Sequence, residues 1–149
     1  MKKIPYLHVI AHGRPAPQGS KRLGAGGAMR EASPYLPAWR RALAKAIRER
    51  YAELGITMEM LRDRPVFVGP VAFEAIFAMP AGQRIDSPPD LDKLLRAVWD
   101  VCTANRVWED DGRVLGIRRL VKRPESETCP AGVEFVVEPV LEARAGVIW

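Results

Sequence analysis

Apolar and polar positions change period several times along the chain, and each change marks an element. Residues 4–11 (IPYLHVIA) are β-branched and apolar, the pattern of a buried strand. Residues 13–27 have no periodicity, and their five glycines and two prolines predict a loop. A helical period follows. Trp39, Leu43, Ala46 and Ile47 fall on one stripe, with Ser33 placed as N-cap and Pro34 at the first helical position. The pattern predicts about fifteen residues of helix, ending near Glu49 or Tyr51. Residues 52–64 read as a loop or a short helix. Residues 70–79 (PVAFEAIFAM) alternate and are rich in β-branched and aromatic side chains, which predicts a strand.

Residues 80–89 (PAGQRIDSPP) form a turn-rich loop, and the paired prolines hold the chain extended up to Asp90. Asp90 suits an N-cap. Leu91, Leu94, Leu95, Val98, Val101 and Cys102 then make the buried stripe of a helix that ends near Thr103. Asn105 and Arg106 turn the chain, Val107-Trp108 is a short apolar element, and Gly112 introduces a bend. Val114, Gly116 and residues 120–122 predict a strand, residues 125–132 a turn, and residues 133–140 a last strand. The expected fold class is α/β (α+β): a small mixed β-sheet packed with two main helices, with residues 1–149 as a single domain.

Composition changes this picture little. Apolar residues are 48% and charged residues 28%, ordinary for a globular chain and incompatible with global disorder. No apolar run approaches the ~18 residues of a membrane span. The opening segment is broken by Pro5 and His8 and lacks a small-residue cleavage site, so it reads as a strand rather than a signal peptide. Cys102 on an apolar helix face and Cys129 in a polar loop imply neither a disulfide framework nor zinc. A reducing cytoplasm is the expected location.

Charge changes it more. Residues 1–50 carry 11 Lys/Arg and 2 acids, for +9, whereas residues 51–149 carry 12 Lys/Arg and 16 acids, for −4. A basic half beside an acidic half suggests a polyanion surface next to a cation site. Arg14, Lys21 and Arg22 lie in the glycine-rich loop, where cations meet phosphate oxygens. His12 precedes that loop. Arg40, Arg41, Lys45, Arg48 and Arg50 line the polar surface of the first helix, as a DNA-facing or an ordinary solvated face.

The acids carry the candidate chemistry. Asp90 and Asp92 sit on the cap and first turn of a helix, where the dipole favours anions by up to ~1 kcal/mol. Asp111 follows in the cluster Glu109-Asp110-Asp111. Carboxylates ~4 Å apart repel by ~4 kcal/mol at an effective dielectric of 20, so a cluster of three implies a shared cation. Mg²⁺, with Mn²⁺ as a substitute, suits such an oxygen site and activates phosphodiesters for hydrolysis. Arg96, four residues after Asp92, shares its helix face and is placed to grip phosphate, with Lys93 beside it. Asp100 reads as an ion-pair partner for Arg96. Glu109 and Asp110 read mainly as solvated turn residues. The tryptophans Trp39, Trp99 and Trp108 read as core, and His8 as a core or strand residue.

The segment PDLDKLLRAVWDVCTANRVWEDDGRV, with GRPAPQGSKR and GPVAFEAIFAMP before it, resembles the RusA-type Holliday junction resolvases. The resemblance implies a small α/β homodimer that uses Mg²⁺ to make paired symmetric nicks in branched double-stranded DNA at four-way junctions. It places the essential acids on Asp90, Asp92 and Asp111, and the catalytic lysine on Arg96. Arginine grips phosphate but does not readily give up a proton, and Lys93 is the nearby amine. The resemblance also implies DNA contacts for Arg14, Lys21 and Arg22. The competing expectation is a catalytically silent or non-enzymatic DNA-binding protein.

Overall fold

The computed structural model describes residues 2–19, 21–23, 29–31 and 33–140. Strand β1 (Leu7–His12) is followed by a two-stranded ribbon, β2 (Lys21–Leu23) and β3 (Met29–Glu31), then by helix α1 (Leu36–Glu53) and the short helix α2 (Met60–Asp63). Strand β4 (Val71–Met79), helix α3 (Leu91–Ala104) and strand β5 (Val114–Pro124) form a β-α-β unit, and β6 (Gly132–Pro139) closes the chain. The main sheet has the order β1-β6-β4-β5. β6 runs antiparallel to both β1 and β4, while β4 and β5 are parallel. The fold is therefore α+β with a mixed sheet, and no described helix is long and apolar enough to cross a membrane.

Several boundaries differ from the sequence expectation. The first strand starts at Leu7 rather than residue 4, beyond Pro5, which lacks a donor for the ladder. The loop expected over residues 13–27 contains β2, whose antiparallel partner is β3. Helix α1 begins at Leu36 with Tyr35 at the cap position, and Ser33 is not its N-cap. The Ser33 hydroxyl instead accepts from the Tyr35 amide at 3.4 Å. The helix also runs past Tyr51 to Glu53, where Gly55 at φ 72° ends it. There the Gly55 amide donates to Ala52 and the Ile56 amide to Tyr51, a Schellman closure.

One apolar core lies between the sheet and the two long helices. Phe73, Ala75 and Phe77 of β4 join Val133, Phe135 and Val137 of β6 and Leu7 and Val9 of β1. Trp39, Leu43 and Ile47 of α1 and Leu94, Val98 and Cys102 of α3 complete it. Phe73 stacks on Phe135 at 5.7 Å and meets Trp99 and Trp108 edge-on. Trp39 and Trp108 are buried and Trp99 packs partly buried against the core, as their spacing predicts. Each large apolar side chain so buried contributes roughly 1.5–3 kcal/mol. His8 is a strand residue but not a core one: it pairs with Glu134 at 2.7 Å at the surface.

Candidate functional site

The N-terminus of α3 carries the first two candidate acids. Asp90 is the cap residue with extended backbone, yet its side chain makes no capping hydrogen bond. It lies 3.9 Å from the Lys93 ammonium, one turn along. Asp92 is exposed in the first helical turn. Both carboxylates stand where the helix dipole is positive.

The loop before α3 is held from the opposite strand. The Lys122 ammonium on β5 donates to the carbonyls of Ser87 and Pro89 at 3.0 and 2.9 Å. Three donors on one ammonium allow this double clamp, and it anchors the residue next to Asp90. The Pro88-Pro89 bond is cis.

The loop after β1 lies against α3. The Gln18 amide donates to the Lys93 carbonyl at 3.0 Å. Gly19 has φ 91°, and a Cβ there would come within 2.8 Å of an Arg96 guanidinium nitrogen, so Arg96 packs closely over the bare glycine. Arg14 stacks its guanidinium 3.8 Å above the Tyr35 ring, a cation–π contact. Arg14, Tyr35, Gln83, Pro89, Asp90 and Lys93 are among the residues lining one cavity of about 410 Å³. Two expected cations thus face one expected acid across an open space. Lys21 and Arg22 fall on β2, and their side chains lie outside the described residues.

Asp111 is placed elsewhere. Arg106 takes the left-handed conformation at φ 62°, and the Val107 amide donates to the Cys102 carbonyl, which reverses the chain directly after α3. The reversed segment is bonded to the 61–67 stretch through Val66 and Phe67 amides and through the Arg106 side chain to the Leu61 carbonyl. Trp108 is thereby buried, and its indole N–H donates to the Thr103 hydroxyl at 2.8 Å and to Asp111 at 3.2 Å. The Thr103 hydroxyl donates to Asp111 Oδ1 at 2.6 Å. Asp111 therefore belongs to the C-terminal end of α3.

This corrects the expectation that Asp90, Asp92 and Asp111 converge within one chain. Helix α3 has 14 residues, about 21 Å at 1.5 Å per residue. Oxygens on one Mg²⁺ lie at about 2.1 Å from it and hence within about 4 Å of each other. Among the described residues no group of three or more His, Cys, Asp or Glu is close enough to hold one ion. The parallel pairing of β4 and β5 gives the physical reason. A crossover helix must run back along the strands, so its two ends lie at opposite ends of the sheet.

The neighbouring acids have local work. Asp110 accepts from the Gly112 amide at 2.7 Å and caps the 3₁₀ turn Asp111–Arg113. Glu109 pairs with Arg113 at 2.8 Å, and that bond raises the arginine's pKa. Asp100 pairs with Arg40 of α1 at 2.9 Å rather than with Arg96. His12 lies on another cavity, of about 310 Å³, with Arg123 and Cys129. Both cysteines are free.

Sequence reasoning missed Lys122, Gln18, Tyr35 and Thr103. Lys122 stood out little in the run RRLVKR, which has three other cations. Gln18 and Thr103 had no signal, because their partners are distant in the chain or set by the turn at Arg106. No protein-family model matches the chain, and a search of curated proteins likewise found no match.

Proposed function

We propose that this protein is a Mg²⁺-dependent endodeoxyribonuclease acting on branched double-stranded DNA, the activity of the RusA-type family it resembles. The observation that carries the reading is the pair Asp90 and Asp92 at the head of α3, beside a cavity lined by Arg14 and Lys93. An oxygen-only carboxylate pair next to cations suits a hard ion together with a phosphate. When bound, Mg²⁺ would polarise the scissile phosphate and lower the pKa of an attacking water. Asp90 and Asp92 would hold it. Lys93 and Arg96 neutralise charge on the phosphate oxygens, and Arg14, braced on Tyr35, orients the backbone. Lys122 keeps Pro89, and so Asp90, in place.

Asp111 joins such a site from a second copy of the chain. β5 is the outer strand of the main sheet, and Leu115 and Ile117 on it are 55% and 41% exposed. An outer strand presents backbone donors and acceptors with which another chain can pair. Antiparallel pairing of two β5 strands sets the start of one strand, next to the Asp111–Arg113 turn, toward the end of the other. Asp111 of one copy then lies toward the end of the partner's β5, where Lys122 holds Pro89. A two-fold homodimer built this way has two composite sites, matched to a two-fold junction.

A second reading, a DNA-binding protein without catalysis, is favoured by Arg96 in place of the family's lysine. Nicking of a synthetic four-way junction with Mg²⁺ or Mn²⁺ separates the two. The nuclease reading expects paired nicks that Asp92→Asn abolishes. Binding without scission under either ion leaves the second reading.

A further inference from the structure

A groove of about 890 Å³ lies between α1 and α3. Arg40, Arg41, Lys45 and Arg48 line its α1 side, and its acids are Glu49 and Asp100. Each acid already faces a cation: Asp100 pairs with Arg40 and Glu49 with Lys45 at 3.8 Å. Small residues Ala44, Ala52 and Ala104 leave the floor shallow and open. The Arg48 Nε is fixed on Asn105 Oδ1 at 3.1 Å, and Asn105 is itself buried, with its carbonyl accepting from Tyr51. Arg48 is thus held at a set position along the groove. Arg41 makes no ion pair among the described residues, and the Lys45 side chain is 78% exposed.

Gln18 links the rim of the groove to the first turn of α3, next to the acid pair. Gln18 bonds through its backbone to Lys93, and through its side chain to Arg40 and Asp100. Arg41, Lys45 and Arg48 recur one turn apart and span about 10 Å along α1, the axial length of about three phosphates of one DNA strand. A solvated helix face would not need a groove. An apolar partner helix would leave several cations buried without partners.

We infer that the α1–α3 groove seats the sugar-phosphate backbone of the DNA strand flanking the acid pair, through Arg41, Lys45 and Arg48. This rests on the reading of the chain as a DNA-acting protein. The groove supplies sequence-independent grip, so its signature is salt dependence rather than base preference.

The test is fluorescence anisotropy of a labelled four-way junction bound to the full chain in Ca²⁺, titrated at several KCl concentrations. Arg41→Ala/Lys45→Ala is compared with Arg62→Ala/Arg64→Ala, a pair of exposed cations outside the groove, after circular dichroism melts show both folded. Loss of two phosphate contacts lowers the slope of log K against log salt by about 2. The groove pair is expected to show that drop and the control pair less than half of it. Equal slopes for parent and groove pair overturn the groove while leaving the nuclease reading standing. Equal drops in both pairs reduce the effect to net charge and also overturn it. A parent that binds no DNA overturns both the groove and the function it rests on.

Discussion

The Thr103 hydroxyl donates to Asp111 Oδ1 at 2.6 Å, and this bond ties the third candidate acid to the tail of α3 while Asp90 and Asp92 stand at its head. Trp108 shares both partners, so a buried indole, a hydroxyl and an exposed carboxylate form one closed triangle. Thr103→Val removes the donor but keeps the shape. It is expected to cost about 1 kcal/mol, seen as a lower urea midpoint with unchanged m-value. An unchanged midpoint would show that the bond is exchanged for water without loss.

A site shared between two copies makes a prediction that a single-chain site does not. Asp92→Asn and Asp111→Asn should each abolish nicking alone. In a mixed dimer one site receives both substitutions and the other receives neither. Co-refolding equal amounts is therefore expected to restore about a quarter of the parent's sites. A mixture as inactive as its components would mean that all the acids needed belong to one chain.

Lys122→Met tests the clamp on the loop before α3. It leaves the Ser87 and Pro89 carbonyls without their ammonium donor. Hydrogen bonds from a charged group are worth about 1.5–3 kcal/mol, and partial exposure places this case at the lower end. Faster amide exchange and proteolysis across residues 80–89 are expected, with the core protected as before. Uniform exchange across the chain would instead assign Lys122 to global stability.

Gly132 marks a close backbone approach between β6 and β1. A Cβ there would lie 2.0 Å from the Ala11 carbonyl oxygen, and φ is 153°. Gly132→Ala should therefore pull β1 from β6 and lower the melting temperature sharply, because the clash is with backbone that cannot move aside. Gly69 has open space around it, and Gly69→Ala should leave the melting temperature within a few degrees of the parent. Equal shifts for the two would refute the clash.

The aromatic cluster gives a last check on packing. Phe73 touches Trp99, Trp108 and Phe135. Phe73→Ala should cost about 3–5 kcal/mol, measured by equilibrium unfolding. A loss below about 1 kcal/mol would mean that the cluster repacks around the hole.

Much of the fold was legible along the chain because side-chain period is a local property. The stripe Leu94, Leu95, Val98, Val101, Cys102 announced α3, and the alternation of residues 70–79 announced β4. The boundaries that shifted did so where a backbone rule competed with the pattern. Pro5 kept residues 4–6 out of β1, and Gly55 set the end of α1. The ribbon of β2 and β3 was hidden by its glycine-rich surroundings.

The sequence by itself determined the element types, the basic first third, and the cap position that gives Asp90 and Asp92 a positive helix end. Only the tertiary structure decided which groups meet. A helix of the predicted length is about 20 Å long, so the distance between its two acidic ends was already implicit, yet nothing local says where the chain goes next. The turn at Arg106 and the parallel pairing of β4 with β5 send Asp111 to one end of the strands and Asp90 to the other. Periodicity records which face of an element is buried. Parallel pairing joins residues far apart in the chain, and its direction depends on packing that no single segment contains.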